Sequence, residues 1–257
     1  MVGQQEPQIN MLNTDLQTRH SPAANVDTTP NGFRLSIPEG DDSQYRIAQL
    51  DDYAKMARSD FLHRPSLRLS LRARASAESI PGTWGFGLWN DPFGLSIGFG
   101  GNPFRIPALP NAVWFFHASQ ENYLSFSDKP GNGLLAQAFH SPVFPLGRLA
   151  RVGITLPFSR TKSRALMSDV VEEDGVRLSV DVTEWHVYRL EWSPTRSAFW
   201  VDYDLVMETS VSPRPPLGLV IWIDNQYAAW HPDGKIGFGV LENTEPAWLE
   251  IEDLLML

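Results

Sequence analysis

The sequence predicts an all-β fold, either a sandwich or a barrel, and three observations predict it. Residues 67–75 (Leu-Arg-Leu-Ser-Leu-Arg-Ala-Arg-Ala) alternate strictly, apolar at odd positions and Arg or Ser at even ones. A period of two sustained that long belongs to a strand with one buried face. Short apolar and aromatic runs then recur along the chain, with Gly, Pro, Asn or Asp in most of the gaps. Their spacing of about 8–12 residues fits a sandwich or barrel and not a βαβ fold.

Residues 1–30 are rich in Gln, Asn, Thr and Pro and read as a disordered or draped N-terminal tail, leaving 31–257 as a single domain. Residues 33–37 alternate until Pro38-Glu39-Gly40-Asp41-Asp42 ends the run, and 45–50 form a second one. Residues 51–61 fit a short helix, with Tyr53, Met56 and Ala57 on one face and Asp51 or Asp52 as its cap. Strand-like runs follow at 83–89, 95–99, 112–117, 123–127 and 134–139. Further runs lie at 177–182, 186–192, 198–202, 205–208, 217–223, 236–241 and 248–255. The stretch 148–171 interrupts them as a helix or an irregular excursion. Gly98-Phe99-Gly100-Gly101-Asn102 reads as a loop, because no helix or Lys follows it. Tyr203-Asp204, between two apolar runs, is a turn site, since Asp tolerates turn conformations.

Composition narrows the function. The 257 residues suit one large β domain, and 42% hydrophobic with 20% charged is ordinary for a soluble protein. The absence of cysteine excludes disulfides, thiolate metal sites and Cys nucleophiles. A net charge of −9 and a pI near 5.1 speak against nucleic acid or an anionic membrane as the main partner. No stretch reaches the roughly 20 apolar residues of a membrane span. Residues 1–30 lack a positive region followed by an apolar run, so a cytoplasmic protein is expected. The scattered histidines show no H-x-x-x-H or H-E-x-x-H spacing, and no nucleotide-binding glycine motif or G-x-S-x-G is present.

Three ordered segments carry a family resemblance. The first is Pro81-Gly82-Thr83-Trp84-Gly85-Phe86-Gly87-Leu88-Trp89-Asn90-Asp91. The second is Trp185-His186-Val187-Tyr188-Arg189-Leu190-Glu191-Trp192-Ser193-Pro194, continuing through Ala198-Phe199-Trp200-Val201-Asp202. The third is Leu249-Glu250-Ile251-Glu252-Asp253-Leu254-Leu255. Together they resemble the concanavalin A-like lectin/glucanase superfamily, in its glycoside hydrolase family 16-like branch. The resemblance implies a jelly-roll β-sandwich of two curved antiparallel sheets whose concave side is a polysaccharide groove. It also implies paired acids from an E-x-D-x-E or E-x-D-x-x-E strand, spaced for retaining hydrolysis. The strand expected there, 111–119, holds no carboxylate, so no catalytic residue is carried over. A structural calcium, common in relatives, would draw on Asp91, Asp253 and backbone carbonyls; otherwise no cofactor is expected.

Candidate ligand-binding residues follow from the strand faces. Trp89 and Asn90 end a glycine-spaced strand, where Gly85 and Gly87 leave one face bare for a ligand or another backbone. Trp114 and Phe116 share one face of 111–119 and His117 lies on the other, so the groove is either apolar or furnished with one base. Trp222, Asp224 and Gln226 alternate, with Asn225 and Trp230 beside them, as a ligand-facing edge or a capped turn. Arg68, Arg72 and Arg74 either face solvent or line a polar groove. The expected partner is a carbohydrate bound by ring stacking. The alternatives are an apolar small molecule, with His117 or Asp224 as base, and an interaction module with no small ligand. The sequence leaves the oligomeric state open.

Overall fold

The computed structural model describes residues 16–92, 108–143 and 146–257. Two seven-stranded antiparallel sheets pack face to face. The first runs β1 (Gln17–His20), β4 (Ile47–Asp51), β13 (Gly218–Asp224), β6 (Thr83–Trp89), β7 (Ala112–Ala118), β8 (Gly133–His140), β9 (Glu172–Arg177). The second runs β12 (Asp204–Thr209), β11 (Arg196–Val201), β10 (His186–Ser193), β5 (Leu67–Ala75), β16 (Ala247–Met256), β3 (Gly32–Ile37), β2 (Asn25–Thr29). A separate hairpin joins β14 (Gln226–Trp230) to β15 (Ile236–Val240), and two helices, α1 (Leu146–Thr155) and α2 (Arg160–Ser168), lie between β8 and β9. Sheet neighbours distant in sequence, such as β5 beside β16 and β4 beside β13, make this the expected jelly-roll sandwich.

Alternation places the core. The odd residues of β5 (Leu69, Leu71, Ala73, Ala75) are buried against Trp84, Phe86 and Leu88 of β6 and Val113 and Phe115 of β7. Edge-on ring contacts fill the centre, Phe86 to Tyr188 at 5.1 Å and Phe115 to Phe199 at 5.3 Å. The even residues of β5 point to solvent, which settles Arg68, Arg72 and Arg74 on the outer face of the second sheet, away from any groove.

Several expectations need correction. The 30/31 boundary falls inside the sandwich: β1 pairs with β4, β2 pairs with β3, and Ala24 is buried in the core. These are edge strands dominated by polar residues, so they give little hydrophobic signal. Residues 51–61 form turns and one 3-10 turn (Arg58–Asp60) rather than a helix, although Asp51 Oδ1 does cap them, accepting from the amides of Tyr53 and Ala54 at 3.2 and 2.7 Å. The strand expected at 177–182 is β9, which lies earlier, because the charged edge strand Glu172–Arg177 hides its pairing with β8. Residues 123–127 make only a bridge, Tyr123 to Ala229. The strand expected at 95–99 and the loop at 98–102 lie outside the described residues.

Candidate functional site

Register dictates what stands on the outer face of the first sheet. One row across the strands reads Arg19, Gln49, Trp222, Gly85, Phe116, Leu135, Arg177. The next reads Gln17, Asp51, Val220, Gly87, Trp114, Gln137, Gly175. Asp224 and Thr83 lie in the row on one side, and Trp89 and Ala112 in the row on the other.

The glycine gap is filled by rings. A Cβ on Gly85 would meet the Trp222 ring at 2.8 Å, and one on Gly87 would meet Trp114 Cβ at 2.5 Å. Trp222 stacks parallel to Trp89 at 6.2 Å, Trp114 stacks on Phe116 at 5.2 Å, and Trp114 and Trp222 are 5.6 Å apart. Tyr53, Phe61, Val170 and Val171 pack onto this floor from the flanking segments. Trp114 and Trp222 are each only 7% exposed, whereas Trp89 is half-buried.

Each indole N–H on the floor has an acceptor. Trp89 Nε1 donates to Tyr53 Oη at 2.6 Å, Trp114 Nε1 to Gln137 Oε1 at 3.3 Å, and Trp222 Nε1 to Thr83 Oγ1 at 2.9 Å. Thr83 passes the chain on, donating to Asp224 Oδ1 at 2.7 Å, while Tyr45 donates to Asp224 Oδ2 at 3.0 Å. Burial outweighs these bonds and pushes the Asp224 carboxyl up to about 6. Toward the β1 edge, Arg19 Nη2 donates to Gln49 Oε1 at 3.0 Å and Gln49 Nε2 to Asp51 Oδ2 at 2.8 Å. Burial raises the Asp51 carboxyl as well. An aromatic floor therefore sits beside a hydrogen-bonded polar wall.

The structure brings Trp89, Trp114, Phe116, Trp222 and Asp224 together and separates the other candidates. His117 points between the sheets, stacked 5.2 Å from Trp84, and burial lowers it to about 4. It is a neutral core residue, on the opposite face of β7 from Trp114, and no base for that floor. Asn90 ties strand ends, donating to Leu109 O and accepting from the Asn111 amide. Asn225 is fully buried, accepting from the Arg46 amide at 2.8 Å and donating to Leu241 O at 2.8 Å. Gln226 meets Asp224 only through its backbone amide, at 3.3 Å, because the chain leaves the sheet at Asn225 to start β14. Trp230, at the far end of β14, packs edge-on against Phe126 at 6.3 Å rather than on Trp89, Trp114 or Trp222. Sequence reasoning missed Gln49 and Thr83, and it took Asp51 only as a helix cap. The alternation of Gln49 and Asp51 around Leu50 was the available signal.

The floor also bears on acid chemistry. The central strands β6, β7 and β8 place no carboxylate on this face, nor do residues 93–107 contain an Asp or Glu. Asp51 pairs with Val220, four residues along β13 from Asp224, a separation of ~13 Å at strand rise. Glycosidase acid pairs work at about 5–9.5 Å. For the expected calcium, Asp91 follows β6 of one sheet and Asp253 lies in β16 of the other, and among the described residues no three His, Asp or Glu gather as metal ligands.

Comparison with solved structures finds the chain distantly similar to several proteins. A legume lectin-like domain from Entamoeba histolytica aligns over 95% of this chain and 89% of its own, at 11% identity and TM-score 0.49. A glycosyl hydrolase family 16 protein from Mycobacterium smegmatis aligns over 94% and 91%, at 11% identity and TM-score 0.46. The catalytic domain of a Thermotoga petrophila endo-1,3-beta-glucanase (laminarinase) aligns over 89% and 80%, at 13% identity and TM-score 0.42. No family model and no curated protein sequence matches the chain. Among the described residues, no helix is long and apolar enough to cross a membrane.

Proposed function

We propose that the outer face of the first sheet binds a carbohydrate, with Trp89 as the contact ring. The observation that carries this reading is the state of Trp89: half-buried, stacked on Trp222 and held by Tyr53, which the buried Gln49 braces in turn. A sugar presents an apolar ring face, and a rigid, partly exposed indole matches it. Pre-organisation lowers the entropic cost of binding. The reading is one of binding, supported by the ~13 Å separation of Asp51 and Asp224 along the sheet. Affinity electrophoresis against soluble β-glucans, mannans and xylans tests it. The wild type is retarded by at least one polymer, and Trp89→Ala loses that retardation by about tenfold in affinity. Equal mobility of wild type and variant in every gel refutes it, and release of reducing sugar would replace binding with hydrolysis.

A further inference from the structure

The α1–α2 arm opposes the rest of the molecule in charge. The chain carries −9 overall, yet residues 141–168 hold five basic side chains and no acidic one. Arg164 is buried and committed: it donates to Asp128 Oδ1 at 2.7 Å, Ser125 O at 3.0 Å and Trp230 O at 3.0 Å. Arg151, Arg160 and Lys162 are exposed, and none forms an ion pair among the described residues. Between the helices the chain turns, and the turn carries apolar side chains outward: Phe158 is 86% exposed, Ile154 70%, and Leu156 stands between them, also exposed.

These residues are not a core that failed to close. The arm has its own inner face, where Val152 is buried and Ser163 Oγ donates to Val152 O at 3.3 Å. Met167 packs inward onto the aromatic floor. The backbone amides of the turn are bonded within the arm. The amide of Leu156 donates to Val152 O, and those of Phe158 and Ser159 to Thr155 O. Ser159 Oγ accepts from the Lys162 amide. A turn with bonded amides, protruding apolar side chains and a collar of unpaired cations can enter a headgroup layer without stranding polar backbone.

We propose that the α1–α2 arm docks this protein on an anionic lipid surface. Ile154, Leu156 and Phe158 enter the boundary between headgroups and acyl chains, and Arg151, Arg160 and Lys162 lie against lipid phosphates. The shape favours a bilayer, since the apolar groups form a projecting tip rather than a face, and a soft surface accepts a tip without a matching pocket. The acidic net charge does not forbid it. Charges beyond a Debye length of about 8 Å are screened at physiological salt, so the local collar dominates. Acidic groups on adjoining segments are Asp128 and Asp233, paired with Arg164 and Lys235, Glu173, which accepts from Ser125 and Ser127, and Asp169 and Glu172 beyond α2. The proposal stands apart from carbohydrate binding, because its residues are on the solvent side of the arm.

The test is co-sedimentation of the full chain with vesicles of phosphatidylcholine alone and with about one-third phosphatidylserine, at low and at physiological salt. The wild type pellets with the anionic vesicles, less so as salt rises, and hardly with the neutral ones. The combined Arg151→Glu, Arg160→Glu and Lys162→Glu variant loses about 100-fold in partitioning, at roughly fivefold per removed cation. Phe158→Ser loses about tenfold. All the altered side chains are exposed, so circular dichroism matching the wild type confirms folded variants. No pelleting of wild type with anionic vesicles at low salt overturns the proposal, as does equal pelleting of all three proteins. Retention on heparin without vesicle binding overturns it in favour of a soluble polyanion. A mass in sedimentation velocity that falls with Phe158→Ser while vesicle binding is unchanged overturns it in favour of self-association.

Discussion

The outer faces of the two sheets each carry three tryptophans and use them in opposite ways. On the first sheet, Trp89, Trp114 and Trp222 pack on one another and give their N–H groups to Tyr53, Gln137 and Thr83. On the second, Trp248 lies under Arg34 at 4.2 Å, Trp185 under Arg74 at 4.8 Å, and Trp200 under Arg189 at 3.9 Å. Glu250, Glu252 and Glu191 bridge the guanidiniums between them. One face is a second apolar core and the other a wet ladder of charges and rings. The difference lies in the neighbours: glycines and aromatics flank the first trio, while alternating Arg and Glu flank the second.

Truncation breaks the comparison most sharply. Trp222→Ala opens a hole between Gly85, Trp89 and Phe116 and costs about 3–5 kcal/mol. Trp185→Ala removes a half-buried ring from a solvated ladder and costs about 1 kcal/mol or less. Urea denaturation of both variants reads the contrast directly. Equal midpoints would mean that the floor is not a packed core.

Titration sharpens it next, on the two faces of a single sheet. Asp224 has its carboxyl raised to about 6, so the stability from its proton is full below the ordinary carboxylate range near 3.8 and is lost as pH rises through 6. His117 is lowered to about 4, so the stability from its neutral ring is full above 6.5 and is lost as pH falls through 4. The two slopes oppose each other between about pH 4 and 6 and flatten the wild-type profile. Asp224→Asn exposes the histidine slope, with stability climbing by about 3 kcal/mol toward pH 6.5. His117→Gln exposes the reverse, a decline of similar size as pH rises. Parallel melting profiles for all three proteins would contradict both assignments.

Polar links separate the faces by a smaller margin. Thr83→Val leaves the Trp222 N–H without its acceptor and takes one of the donors from Asp224, costing about 2 kcal/mol whatever the salt. Glu250→Gln weakens its contacts to Arg34 and Arg74, 3.6 and 2.8 Å away, and costs about 1 kcal/mol, an effect that fades in high salt. Denaturation in low and high salt distinguishes the buried link from the screened one.

The second sheet was legible in the sequence because its period is clean: β5 alternates apolar with Arg or Ser, and β16 answers with Glu250 and Glu252. The first sheet was harder. Both faces of β6 and β7 are buried, so hydrophobicity could not say whether Trp114 or His117 faced outward. Only pairing does: Gly87 opposite Trp114 and Gly85 opposite Phe116 leave room for rings on that side. Gln49 and Thr83 went unnoticed, and Asp51 was read only as a cap, because their roles arise from cross-strand partners and a single sequence does not state register. The helical arm and the charged edge strand β9 resisted for the same reason, since neither shows a sustained period.

The smallest effect lies at the rim of the ladder, where β11 turns into β12. Asp202 and Tyr203 both have positive φ, +49° and +77°, the geometry of a tight hairpin turn. Asp accepts that region readily, whereas a bulky tyrosine there carries a penalty of about 1–2 kcal/mol. The Tyr203 ring is exposed, so little packing opposes its removal. Tyr203→Gly relieves the strain but adds about 0.5–1 kcal/mol of unfolded-state entropy, leaving a net stabilisation of about 0.5 kcal/mol. Tyr203→Asn keeps a β-carbon, loses less entropy and should gain slightly more. A rise in melting temperature of a degree or two for both, with the Trp185 and Trp222 contrast unchanged, shows that the turn and the ladder are energetically separate. A drop for both would show that the tyrosine ring takes part in the ladder.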